Sequence, residues 1–166
     1  MYTLFLVLAS IPPSPETEIY FRHSVWHQYA ELEPGEKVTL VGHSAGAHSA
    51  AMLAFDPVNK GRIKKVRLMS GVYDVGPFVR LVTLGPWSKP QRAFRDISRW
   101  EASPIYHIPP ADEDSPVFEI YYASNDLPGQ KRQSIRFYQA LICNGYTASL
   151  EEVPATHQTI QHMLGY

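Results

Sequence analysis

Apolar and polar residues fall in short alternating blocks along this chain. Tyr2–Leu8 ("YTLFLVL") is a continuous apolar run closed by the turn-prone "SIPPSPE", the pattern of a strand buried on both faces. Phe21–Leu32 ("FRHSVWHQYAEL") reads as a helix that ends at "EPGE". Val38–Val41 predicts a short buried strand, and Ser44–Phe55 an Ala-rich helix stopped at Asp56-Pro57. Val66–Ser70 ("VRLMS") predicts another strand. From Gly71 to Ser115 the chain is rich in proline and aromatic residues and is at most partly helical. Val117–Ala123 ("VFEIYYA") then predicts a strand and Gln130–Asn144 a helix with Asn144-Gly145 as its stop. Thr147–Val153 predicts a further strand, and a last helix starts from about Thr156. Strands alternating with helices imply an α/β fold, a mostly parallel sheet with helices on both faces. Such sheets bind ligands at the carboxyl ends of their strands, so the loops there should hold any chemistry.

Length and charge narrow the function. The 166 residues favour one domain over 1–166, and no internal repeat divides them. A net charge of -1 supplies no basic surface for nucleic acid or for an anionic membrane. The densest basic run, "GRIKKVR" (Gly61 to Arg67), leads into an apolar strand and reads as a solvated loop edge. The N-terminal apolar run is too short to span a bilayer and has no basic flank, so a buried strand is preferred to a signal peptide. With one cysteine, Cys143, no disulfide can form within the chain. That usage suits a reducing, cytoplasmic setting, with Cys143 a buried structural thiol. Seven histidines show no zinc-binding spacing, and neither a metal nor a cofactor is expected.

One motif carries chemistry. "LVGHSAGAHSAAM" (Leu40 to Met52) holds a Gly-x-Ser-x-Gly between a predicted strand and a predicted helix. The pattern arises by chance in roughly one chain of this length in twenty, so the strand before it and the helix after it are what single it out. A chain reversing sharply from strand to helix holds its serine in a strained turn, with Gly42 and Gly46 where side chains would collide. That turn lifts the Ser44 hydroxyl clear of the sheet and sets the Ala45 backbone N–H to stabilise an oxyanion.

A serine hydroxyl needs a base, and the base an orienting carboxylate, in the chain order Ser, acid, His. Asp126 in "ASNDLPG" and His157 in "VPATHQTI" each lie just beyond a predicted strand, on the rim of Ser44. The plainer reading of Asp126 is a turn former, and of His157 a solvent-facing residue at a helix start. His162 is a rival base, but it lies inside the last helix. Asp74 in "SGVYD" comes early for the acid and reads as a helix cap. His43 and His48 read as packing residues, and His23 with His27 as a pair lacking a third metal ligand. Phe78, Trp87, Phe94 and Trp100 read as lid or core packing before an aryl pocket.

Taken together, "LVGHSAGAH", "SGVYD" followed by "PFV", Ser103-Pro104, and "ND" followed by "KRQSIRFYQAL" resemble the arylformamidases, the kynurenine formamidases of the α/β-hydrolase fold. The likeness runs from about Val38 to the C-terminus. It implies Ser44 as nucleophile, Asp126 as acid and His157 as base, and hydrolysis of N-formylkynurenine to kynurenine and formate without a cofactor. It also implies a His-Gly-Gly loop completing the oxyanion hole, whereas no glycine precedes Gly35. The expectation is therefore a partial α/β-hydrolase fold with early strands missing and weak activity in isolation. The partner is a small aryl formamide or ester, with neither nucleic acid nor membrane, and a homodimer stays open. A related carboxylesterase of the hormone-sensitive-lipase-like or prenylcysteine-methylesterase type, and an inactive interaction module, are the alternatives.

Overall fold

The computed structural model describes residues 18–21, 37–76 and 98–166. Among them one sheet holds β1 (Glu18–Phe21), β2 (Val38–His43), β3 (Ile63–Met69), β4 (Val117–Asn125) and β5 (Ala148–Thr156). The order across the sheet is the order in the chain, and each neighbouring pair is parallel. Helix α1 (Ala45–Phe55) joins β2 to β3. A 3₁₀ turn at Pro57–Asn59 follows α1, and helix α2 (Arg99–Ala102) and another 3₁₀ turn at Pro104–Tyr106 precede β4. Helix α3 (Gln130–Cys143) joins β4 to β5, and α4 (Ile160–Met163) follows β5.

Parallel crossovers are right-handed, so strands added in one direction place successive crossover helices on one face. Helices α1 and α3 share a face for that reason. Val38, Leu40, Val66, Leu68, Phe118 and Ile120 meet Ala47, Ala50 and Ala51 of α1 and Phe137 and Leu141 of α3. The alanines let α1 lie close to the sheet. Phe55, Phe118, Phe137 and Tyr146 fill the space toward α3, with ring centroids 5.5 to 6.3 Å apart. Each such ring contributes about 1.5–3 kcal/mol by leaving water. On the opposite face Val41, Met69, Ala123, Val153 and Ala155 pack with Ile160 of α4. Helices therefore cover both faces, as the pattern of the sequence predicts.

Strand β5 lies at the edge of this sheet, paired with β4 alone among the described residues. That position accommodates Pro154, which has no N–H for a second ladder, and the exposed Glu151 and Glu152, which discourage edge-to-edge pairing.

Several expectations need correction. Phe21 does not begin a helix; it ends β1, which pairs with β2 from Glu18↔Thr39 to Phe21↔Gly42. A run of four residues carries no periodicity of its own, and its strand state comes from that pairing. Strands β2, β4 and β5 run two or three residues further at their carboxyl ends than their apolar stretches suggest, because ladder bonding continues past the core. Thr156 ends β5, a turn occupies residues 157–159, and the last helix starts only at Ile160. Cys143 is exposed, not buried: the buried stripe of α3 is Gln130, Ser134, Phe137 and Leu141, and residue 143 falls off it. The Tyr2–Leu8 strand and residues 22–32 of the expected helix lie outside the described residues.

Candidate active site

The carboxyl ends of β2, β4 and β5 converge on one rim. β2 ends at His43, and the chain reverses at Ser44 (φ 55°, ψ -117°) into α1. The reversal brings Gly42 against the first turn of the helix. A Cβ on Gly42 would stand 2.5 Å from the Gly46 carbonyl oxygen and 2.6 Å from the Ala47 nitrogen, both backbone atoms that cannot swing aside. A left-handed φ on a non-glycine residue costs about 1–3 kcal/mol and persists where the surroundings over-determine it. Here they do. The Ser44 N–H donates to the Met69 carbonyl of β3 (2.9 Å), while the Ser44 carbonyl accepts from Ala47 (3.1 Å) and His48 (3.3 Å). Ala45 opens α1, so its N–H lies ahead of the hydrogen-bond ladder of the helix.

His157 sits in the turn after β5 and is buried. The turn is clasped by Thr156 and Thr159: the Thr156 N–H donates to Thr159 Oγ1 (3.0 Å), and the Thr159 N–H to Thr156 Oγ1 (3.3 Å). The imidazole Nε2 lies 3.0 Å from Ser44 Oγ and Nδ1 lies 2.6 Å from Asp126 Oδ1. Asp126 follows β4 directly. Its Oδ1 also accepts from the Leu127 N–H (2.8 Å), and its Oδ2 accepts from the Ala123 N–H (3.1 Å) and from Ser70 Oγ (2.5 Å). Burial by itself would raise this carboxyl; the hydrogen bonds from His157, Ser70 and the two backbone N–H groups outweigh it and hold Asp126 below its ordinary value. The result is a hydroxyl–imidazole–carboxylate line, with an acceptor nitrogen within hydrogen-bond reach of the hydroxyl and an ionised carboxylate on the far nitrogen.

The remaining candidates stand elsewhere. His162 is on α4, where Nδ1 meets the Tyr166 carbonyl (3.0 Å). Asp74 caps the helical turn that starts at Val75, accepting from the Gly76 N–H (3.1 Å), and is also held by Arg99 (2.9 and 2.7 Å). Trp100 is exposed and lies 4.1 Å from the Tyr106 ring, centroid to centroid. His23, His27, Phe78, Trp87 and Phe94 lie outside the described residues.

His43 and His48 do more than pack. The Nε2–H of His43 donates to the His157 carbonyl (2.6 Å), tying the residue before Ser44 to the backbone of the imidazole. The Nε2–H of His48 donates to the Ala102 carbonyl (2.7 Å), and burial lowers its pKa. The reading of the sequence missed the Ser70 contact to Asp126 as well. Its only trace there is a polar residue ending an apolar strand. Among the described residues no cluster of three or more His, Cys, Asp or Glu side chains could hold a metal, and no helix is long and apolar enough to cross a membrane.

Comparison with known proteins sets this geometry in context. The chain is 33% identical over 141 residues to a kynurenine formamidase of Salmo salar and 30% identical over 138 residues to one of Danio rerio. Each alignment takes in 80% of this chain and 45% of the relative, so the chain spans less than half the length of these curated proteins. No family model matches it. Among solved structures, a propionate-bound thermophilic esterase from Thermogutta terrifontis superposes with a TM-score of 0.54 at 20% identity, over 74% of this chain and 46% of the esterase. The shared sheet is that of the α/β-hydrolase fold, present here in part.

Proposed function

This chain belongs with the kynurenine formamidases, on part of an α/β-hydrolase fold, and on that premise we propose that it is a serine hydrolase acting on an aryl formamide. N-formylkynurenine is the substrate this reading names, as the resemblance to the arylformamidases implies. One observation carries the reading: Ser44 Oγ, His157 and Asp126 stand in line at 3.0 and 2.6 Å on the rim of the sheet.

The chemistry follows from those positions. His157 Nε2 takes the Ser44 proton as Oγ attacks the formyl carbon. Asp126 keeps Nδ1–H pointed at itself and stabilises the imidazolium that forms. The carbonyl oxygen gains its charge beside the Ala45 N–H, at the start of α1, where the helix dipole favours an anion. The tetrahedral centre collapses, the C–N bond breaks, and the arylamine leaves with the proton from Nε2. A formyl ester remains on Ser44. Water, deprotonated by His157, then attacks that ester and releases formate.

A fluorophosphonate probe tests the nucleophile, because it needs an activated serine and no particular substrate. Labelling is expected at Ser44, located by mass spectrometry of the peptide, and is expected to vanish in Ser44→Ala. Formate release from N-formylkynurenine tests the substrate in the same preparations. Labelling of a residue other than Ser44, or turnover that survives Ser44→Ala, would overturn the mechanism. Cleavage of aryl esters with none of the formamide would keep the nucleophile and replace the substrate.

A further inference from the structure

Among the described residues two non-glycine residues have a left-handed backbone, Ser44 (φ 55°) and Ser70 (φ 47°). The first is the strained elbow. The second lies at the end of the adjacent strand, fully buried, with nothing in the proposed chemistry to explain it. Glycine is the default residue for such a conformation, and the next residue is in fact Gly71. A serine kept at a strained position is held there by its side chain and its neighbours. The Ser70 N–H donates to the Tyr121 carbonyl of β4 (2.8 Å), which extends the β3–β4 pairing by one bond. Its Oγ–H donates to Asp126 Oδ2. Among the described residues that oxygen takes only the Ala123 N–H besides, at the longer distance of 3.1 Å. The hydroxyl therefore sets the plane of the carboxylate, so that the other oxygen faces His157 Nδ1.

We propose that Ser70 is a positioning residue for the acid: its strained backbone aims a buried hydroxyl at Asp126 Oδ2 and thereby fixes the Asp126–His157 bond. The inference rests on the reading of Ser44, His157 and Asp126 given above, and it assigns Ser70 no contact with substrate. A purely structural role makes the opposite demand. Ser70→Gly removes the hydroxyl and relieves the strain together, so a structural role predicts a sound fold and an unchanged site. Positioning predicts a sound fold with a damaged site.

Three measurements separate these on the full chain. Ser70→Gly is expected to melt no lower than the wild type while its fluorophosphonate labelling slows about tenfold, the scale of one hydrogen bond to a charged group. Ser70→Ala keeps the strain and loses the hydroxyl, so it should label as slowly and melt lower. In an Asp126→Asn background, Ser70→Gly should slow labelling no further, because the two act through one bond. The downfield proton resonance of the His157 Nδ1–H···Asp126 bond reads the same geometry without any chemistry, and in Ser70→Gly it should shift or broaden. Wild-type labelling and an unshifted proton in Ser70→Gly would overturn the proposal. A wild-type chain that shows the proton but never labels would overturn the hydrolase reading and leave the role of Ser70 to be decided by the resonance.

Discussion

Asp74 and Asp126 are two buried carboxylates reached from neighbouring strands, β3 and β4, and they are satisfied in opposite ways. Their side chains are 2% and 4% exposed, and both are held below their ordinary pKa against the pull of burial. Asp74 is neutralised by permanent cations: Arg99 grips it with two bonds, Arg136 stands at 3.5 Å, and the Tyr106 hydroxyl reaches it at 3.3 Å. Its surroundings are stapled too, since Gln133 Oε1 of α3 accepts from the Tyr73 and Asp74 N–H groups (2.8 Å each) and Ser103 Oγ accepts from Val75 (3.0 Å). Among the described residues Asp126 has no arginine or lysine as a bonding partner. It is held by neutral donors and by an imidazole that also reaches a hydroxyl. The fixed cations around Asp74 tie three segments of the chain together. A carboxylate facing a titratable ring can respond when that ring gains a proton.

The widest separation between the two should appear in rate. Asp126→Asn is expected to lower kcat/KM by about 10⁴-fold, because the amide favours the wrong imidazole tautomer. Asp74→Asn should leave the rate within about threefold and show its loss in the melting curve. Removing the charge leaves two guanidiniums without their partner, at a cost of about 1–2 kcal/mol, moderated because both guanidiniums are nearly half exposed. Steady-state kinetics and thermal unfolding of the two variants check this. Equal rate losses would erase the distinction between them.

Gly42→Ala probes the same rim from the serine side. The added Cβ would meet backbone at 2.5 Å, so either β2 or the first turn of α1 must move. About 3 kcal/mol of stability should be lost, together with labelling at Ser44. An alanine variant that melts and labels like the wild type would mean that the elbow is looser than this approach requires.

Much of the rim was legible in the sequence, for physical reasons. Ser44, Asp126 and His157 each follow an apolar strand, and a parallel sheet gathers strand ends at one edge, so pattern alone was enough to bring them near one another. What pattern could not reach depends on contacts between distant segments. The φ of Ser70 and its bond to Asp126 exist only once β3 and β4 pair, 56 residues apart in the chain. The bond from His43 to the His157 carbonyl spans 114 residues. The cap at Asp74 is local and could be read from sequence, while its pairing with Arg99 and Arg136 could not. β1 is too short to show a period, and Cys143 misled because an apolar neighbourhood in sequence ("YQALICNG") says less about burial than position on the helix.

The smallest expected effect is also the one most specific to the contrast. Each carboxylate has a folded pKa below its unfolded value of 3.8. Each therefore adds stability that is fully present above about pH 4 and is lost as the pH falls through the folded pKa. In acid titrations followed by unfolding, both asparagine variants should lose less stability than the wild type below that pH. Salt should then divide them. Raising ionic strength from about 0.1 M to about 1 M shortens the Debye length from about 10 Å to about 3 Å. The half-exposed guanidiniums around Asp74 are open to that screening, so the penalty of Asp74→Asn should shrink by a few tenths of a kcal/mol. The donors to Asp126 are an imidazole, a hydroxyl and two backbone N–H groups at hydrogen-bond distance from a buried carboxylate, where mobile ions screen little, so the penalty of Asp126→Asn should change less. If both penalties fell alike with salt, Asp126 would be held by screened charge as Asp74 is, and the contrast between the two carboxylates would fail.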